Sequence, residues 1–231
     1  MDYRGFNLFD ILLESPKYFT QDAVCKVAIS VMHRIESLHK LGFIHRDIKP
    51  GNILVENCKA FRKISLIDFG LAKRYVGPKG MHNKPAISDT FAGSVKFASI
   101  NAHNGFELSR RDDLISLFYV LVWLSTENLP WIKISCLGGS PKSESKLLAT
   151  KQSNNLLKLS YGLPKYFKLF AEEISQLEFE DKPDYELYRS FFKDPDNQRK
   201  SFHEYSTQPD LSPDKSMTPM SLEDLHYIPI K

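Results

Sequence analysis

The chain predicts a mainly α fold with a minor β component, an α+β class in which one short hairpin interrupts a helical body. Apolar residues recur at helical spacing over residues 20–41, 111–124, 146–159, 164–177 and 185–192. Only two short runs, 53–55 and 64–67, have β character, and a charged connection joins them. From about Asp194 onward the periodicity stops and Ser, Pro, Asp, Gln and Lys dominate. A period of 3.6 marks a helix with one buried face, and short apolar runs bounded by polar residues mark strands.

Residues 20–41 form the best-defined element. Thr20 can cap it, Asp22 suits the positive N-terminal end, and Gly42 can end it. Val24, Val27, Ala28, Val31, Ile35 and Leu38 line one face, so Val27-Ala28-Ile29 is read as core. The runs 53–55 and 64–67 are expected to pair, which would hold the loop before the first beside the loop after the second. Glycine, proline and charge over 73–87 read as a long surface loop. Residues 114–124 are the most apolar run, but they number 11 and include Ser116 and Tyr119. A membrane span needs about 20 residues, so this run is a buried helix. No repeat is evident. The domain reading is 1–193 folded and 194–231 a flexible tail, in which Ser212-Pro213 and Thr218-Pro219 are candidate modification sites or ordinary features of a flexible segment.

A length of 231 residues with 42% hydrophobic content supports a real core. The net charge of +3, from 31 basic and 28 acidic side chains, is too balanced to argue for nucleic-acid binding. Cys25, Cys58 and Cys136 are few, odd in number and far apart. They have neither disulfide-framework nor zinc spacing, which implies a reducing compartment. Asp2, Arg4, Asp10 and Glu14 break up any apolar segment near the start, so no signal peptide is read. The protein is expected to be soluble and cytoplasmic or nuclear, with neither nucleic acid nor membrane as a partner; nothing specifies its oligomeric state.

Residues 45–52 read His-Arg-Asp-Ile-Lys-Pro-Gly-Asn, and Asp68-Phe69-Gly70 follows the second β run. Either string alone is weak. Together, at this spacing, they describe a phosphoryl-transfer site split over two loops. Such a site needs one carboxylate to accept the substrate hydroxyl proton and ligands for a metal that neutralises the phosphates. Asp47 can be the first, Asn52 and Asp68 the second. The expected hairpin would bring them together although 21 positions separate the two aspartates.

Three further strings carry a family resemblance. They are Gly93-Ser94-Val95-Lys96-Phe97-Ala98-Ser99-Ile100-Asn101-Ala102-His103; Ser109-Arg110-Arg111-Asp112-Asp113-Leu114 with the later Leu129-Pro130-Trp131; and Phe179-Glu180-Asp181-Lys182-Pro183-Asp184-Tyr185. With the catalytic strings they resemble the casein kinase 1 group of serine/threonine protein kinases over roughly residues 1–193. Phe118 in Ser116-Leu117-Phe118-Tyr119 stands where many members have glycine, which brings the chain nearer the tau-tubulin kinase branch.

The resemblance implies a protein-kinase-like large lobe whose hairpin carries the catalytic and metal-binding loops. It makes Asp47 the catalytic base, Lys49 the cation on the transferring phosphate, and Asn52 and Asp68 the Mg²⁺ ligands. Met1, Asp2 and Tyr3 would belong to the hinge that meets the adenine of ATP, and Leu54 would be the apolar floor beneath it. Arg46 would sit against the activation segment, Asp113 would anchor the catalytic loop from below, and His45 would pack in the core. Lys73, Arg74, Lys79, Lys84 and Lys96 oppose only Asp89 between positions 73 and 96. They are either an anion site for acidic or phosphate-primed protein substrates or a solvated loop.

The chain departs from the family at its start. Only 44 residues precede His45, and Val27-Ala28-Ile29 is followed by Ser30 where the family's phosphate-binding lysine would stand. The small β-rich lobe, roughly 80 residues with the glycine loop, that lysine and its glutamate partner, is expected to be absent. Phe6, Leu8 and Leu54 would then be left partly uncovered. Three readings follow: a casein kinase 1-type serine/threonine kinase, a non-catalytic protein-binding module unable to grip ATP, or a fragment of a full kinase.

Overall fold

The computed structural model describes residues 5–15, 17, 19–57, 61–78, 80–88, 90–136 and 140–193, without the side chains of residues 57, 62 and 136. Met1, Asp2, Tyr3, Cys58, Lys79, Asp89 and the expected tail lie outside the described residues. In chain order come β1 (Phe6–Asn7), α1 (Leu8–Glu14), α2 (Gln21–Lys40), β2 (Phe43–Ile44), β3 (Ile53–Asn57), β4 (Arg62–Leu66) and β5 (Lys73–Arg74). There follow α3 (Ile100–His103), α4 (Arg110–Thr126), α5 (Pro141–Ser153), α6 (Leu156–Leu159), α7 (Lys165–Ser175) and α8 (Tyr185–Phe192). Single 3₁₀ turns occur at Pro50–Asn52 and Ile134–Cys136.

Helix α4 is the axis of the body. Leu114, Leu117, Phe118, Val120 and Leu121 have no exposed surface, and from 114 to 124 only Ile115 is not fully buried. A helix apolar on every side must be surrounded, and here α2 and α7 pack on it. Among the described residues no helix is long and apolar enough to cross a membrane. Helix α2 forms as its stripe predicts: Thr20 Oγ1 accepts the Ala23 amide at 3.3 Å, and Gly42 takes the left-handed conformation (φ +84°) that lets the chain turn out. Its buried residues include Val24, Val27, Ala28, Val31 and Ile35. An aromatic cluster of Tyr166, Phe167 and Phe170 from α7 with Tyr188 and Phe192 from α8 closes the far end.

The expected hairpin is present: β3 and β4 pair antiparallel with Ile53 opposite Leu66 and Val55 opposite Ile64, and β1 adds to the other edge of β3. Four local expectations need correction. Helix α1 was not foreseen, since seven residues are too few for a periodic signal; Asn7 caps it by accepting the Asp10 amide at 2.9 Å. It buries Leu8 completely, so Leu8 is not among the uncovered groups, whereas Phe6 is 54% exposed and Leu54 is half-buried. The stretch 146–159 is two helices, because Asn155 Oδ1 takes the Lys158 amide at 2.9 Å and starts α6 as a separate turn. The loop 73–87 begins as a strand, with Lys73 opposite Ile44 and Arg74 opposite Phe43.

Candidate active site

The β3–β4 hairpin positions both motif loops. The loop before β3 is the 3₁₀ turn Pro50–Asn52, and the Ile67 amide, just past β4, donates to the Asn52 carbonyl at 3.0 Å. His45 ties the same pair from the other side. Its Nδ1 accepts the Asp47 amide at 3.3 Å, which leaves Nε2–H to donate to the Ile67 carbonyl at 3.1 Å. The ring is fully buried and lies 5.2 Å from Phe69. His45 therefore holds Asp47 to the strand that delivers Asp68, as its expected packing role requires.

Asp47, Lys49 and Asn52 come together directly. Asp47 is 6% exposed; its Oδ2 pairs with Lys49 Nζ at 2.7 Å and accepts Asn52 Nδ2 at 3.1 Å. Asn52 Nδ2 also donates to the Asp47 carbonyl at 2.9 Å, so the side chain bridges the loop it belongs to. A third partner was quoted in a motif but given no role: Ser94 Oγ donates to Asp47 Oδ1 at 2.8 Å. Three donors thus hold a nearly buried carboxylate in one orientation.

Ser94 reaches Asp47 because Gly93 lets two loops touch. Gly93 has φ +106°, and a Cβ there would lie 2.6 Å from the Arg46 carbonyl oxygen. Both facts demand glycine. Gly93→Ala is expected to destabilise the fold by more than about 1 kcal/mol and to displace Ser94 from Asp47. Thermal melting checks the first effect; an unchanged melt would show that the loop shifts freely.

Below the catalytic loop, Asp113 at the start of α4 accepts from the His45 amide at 2.7 Å, the Arg46 amide at 2.8 Å and His39 Nε2 at 2.8 Å. His39 Nδ1 in turn is hydrogen-bonded to the Tyr185 hydroxyl at 2.5 Å, so α2, α4 and α8 are joined beneath the loop. Burial alone would raise the Asp113 carboxyl, but the His39 bond and charge and the His45 amide outweigh it and hold it below the usual carboxylate range. Its neighbour Asp112 differs. It accepts Ser109 N, Ser99 Oγ and Asn101 Nδ2, yet burial prevails and pushes its carboxyl up. Arg46, held at φ +67°, donates from Nε to the Leu71 carbonyl at 2.6 Å, beside the Asp68 loop.

Asp68 is exposed, with φ +61° and its Oδ1 accepting the Gly70 amide at 3.3 Å. Asn52 spends its amide protons on Asp47, which leaves Oδ1 as an acceptor. A carboxylate and an amide oxygen on two loops joined by the Ile67–Asn52 backbone bond suit a hard cation such as Mg²⁺, which keeps waters and substrate phosphates as further ligands. Among the described residues no three His, Cys, Asp or Glu side chains form a closed metal cage. Leu54 sits in β3 between Asn7 and Ser65, where its half-buried side chain borders the hairpin face.

The basic segment is smaller than the sequence implied. Lys73 Nζ pairs with Glu107 at 2.7 Å, a carboxylate outside the stretch from which its charges were counted. It leaves the candidate anion site, while Arg74 and Lys84 remain exposed.

A family model described as the protein kinase domain matches residues 1–207. The chain belongs to the protein kinase domain family. Its match covers both motif loops, the hairpin and all the helices described above. Protein kinase domains transfer phosphoryl groups from ATP to protein substrates with a divalent metal. In this kinase domain Asp47, Asn52 and Asp113 are each held by three or more hydrogen bonds or ion pairs.

Proposed function

We propose that this kinase domain is of casein kinase 1 type and transfers the ATP γ-phosphoryl group to serine or threonine hydroxyls of proteins. The carrying observation is the Asp47 carboxylate, fixed by Lys49, Asn52 and Ser94 on a loop bonded to the one that carries Asp68. Asp47 accepts the proton of the attacking hydroxyl as its oxygen bonds to the γ-phosphorus and the bond from that phosphorus to the bridging oxygen breaks, so that ADP leaves. Lys49, already beside Asp47, offers positive charge to the transferring phosphoryl group. Asn52 Oδ1 and Asp68 would hold Mg²⁺, which when bound neutralises charge on the phosphates. Leu54 would border the adenine side; Met1, Asp2 and Tyr3, the adenine-binding residues that the casein kinase 1 resemblance implies, lie outside the described residues. Lysine two positions beyond the aspartate, and the family strings at 93–103 and 179–185, support the serine/threonine and casein kinase 1 assignments.

Acidic or phosphate-primed substrates fit the exposed Arg74 and Lys84. Supplied with Mg-ATP, and with a casein kinase 1 small lobe fused before residue 1, the chain is expected to phosphorylate serine and threonine peptides and not tyrosine peptides. Primed peptides should turn over faster, and neutralising Arg74 and Lys84 should remove that advantage while sparing neutral peptides. Phosphoamino-acid analysis and peptide kinetics read both. No transfer by the fused protein, with the fold intact, would favour the non-catalytic binding module.

A further inference from the structure

Lys151 is a lysine with no exposed surface, an unusual place for an ammonium group. It reaches from α5 into the segment that follows Gly93. Its Nζ donates to the Val95 carbonyl at 2.9 Å and the Ala98 carbonyl at 2.6 Å, and lies 3.1 Å from His103 Nε2. The Nζ lies over the rings of Trp131 and Tyr119, 5.1 and 5.3 Å from their centroids. Trp131 Nε1 adds a bond to the Lys96 carbonyl at 2.8 Å. Three carbonyls of one short turn are therefore held from outside it. Within the turn, the Ser94 carbonyl accepts the Phe97 amide at 2.9 Å and the Ala98 amide at 2.8 Å.

An apolar side chain of similar length would pack against Trp131 and Tyr119 without the desolvation that an ammonium suffers. What it could not do is satisfy the Ala98 carbonyl, which would be stranded beneath α5, whereas the more exposed Val95 carbonyl would keep His103 Nε2 at 3.3 Å. Burial pushes Lys151 well below the usual lysine range, and burial followed by the Lys151 charge lowers His103 to about 4. The geometry is indifferent to that proton: ammonium or amine, the group has at least two donors for its two carbonyls.

We propose that Lys151 is a positioning residue for the phosphoryl-transfer site, fixing the turn Ser94–Ala98 and, through the Ser94 hydroxyl, the orientation of the Asp47 carboxylate. The proposal rests on the reading of Asp47 as the base. The path has three links: α5 holds the turn through Lys151, the turn holds the Ser94 backbone, and Ser94 Oγ holds Asp47 Oδ1 at 2.8 Å. Lys151 touches no reacting atom. It acts by removing the freedom of the group that steadies the base.

The test replaces Lys151 by Met, which keeps an apolar stem and deletes the donors. Amide exchange in the nucleotide-free chain is read at Phe97 and Ala98 against the amides of α4. Exchange at the two turn amides is expected to quicken about tenfold or more while α4 is unchanged, because the stranded Ala98 carbonyl favours local opening. In the fused, active form kcat should fall about tenfold with the KM for ATP within about twofold, the pattern of a lost transition-state interaction. Lys151→Gln, which keeps an amide donor, should recover part of both effects, and it carries the same measurements if the Met variant does not fold. Unchanged exchange at Phe97 and Ala98, or equal loosening of the turn and α4, would overturn the proposal and leave Lys151 a packing residue. The exchange readout needs no catalysis, so its failure is separate from a failure of the base assignment.

Discussion

Asp47→Asn is expected to lower turnover by about 10²- to 10⁴-fold in the fused, active protein, the range for loss of a positioned general base. The substitution is close to isosteric, and its amide oxygen can still accept from Ser94 Oγ or from Lys49. What is lost is the capacity to take a proton and the charge that faces Lys49 at 2.7 Å. The new NH₂ group also confronts Asn52 Nδ2, a donor 3.1 Å from the present Oδ2, so a small loss of stability accompanies the catalytic loss. Peptide phosphorylation and thermal melting, measured on one preparation, separate the two. A variant that melts near wild type yet keeps its rate would show that another group takes the hydroxyl proton.

Asp113→Leu should give the largest loss of stability among single substitutions near the site. It leaves the His45 and Arg46 amides without their acceptor and His39 Nε2 without its partner, all in the interior. Removing one side of a buried, hydrogen-bonded charge pair costs about 3–5 kcal/mol. The effect also has a pH signature. The folded protein holds the Asp113 carboxyl below its unfolded value, so Asp113 stabilises the fold above the ordinary carboxylate range. That contribution is lost as pH falls through the depressed folded value. Melting curves of wild type should therefore drop on the acid side, and those of Asp113→Asn, already lower near neutrality, should fall less steeply there. Parallel curves would mean that Asp113 does not carry the charge its geometry implies.

The activation segment shows why some of the site was legible in the chain and some was not. Residues 45–52 and 68–70 could be read because their chemistry lies in short strings, and the hairpin between them follows from two β runs and a charged connection. Asp113 was identified through the family resemblance, and its bonds to His45 and Arg46 match that role. Ser94 was visible as a motif letter without a task, since its partner Asp47 lies 47 positions away. Lys73 looked like part of an anion site until Glu107, 34 positions on, took its charge. Lys151 carried no signal at all: in sequence it is one more lysine on a polar helix, and only packing puts it under Val95 and Ala98.

By itself the sequence determined the helical character, the extent of α2, the buried run of α4, the β3–β4 pairing and the identity of the two motif loops. These features depend on apolar period, caps and turn residues within a few positions of one another, which act before any distant segment is in place. Tertiary structure alone decided that α1 covers Leu8, that β5 closes on β2, and that 146–159 divides in two. It also decided which polar side chains serve the site. A buried carbonyl or carboxylate must find a donor wherever the fold supplies one. Here the Ser94 donor to Asp47, and the donors for Asp113 and the Ser94–Ala98 turn, come from segments tens of residues away, and no local pattern records that choice.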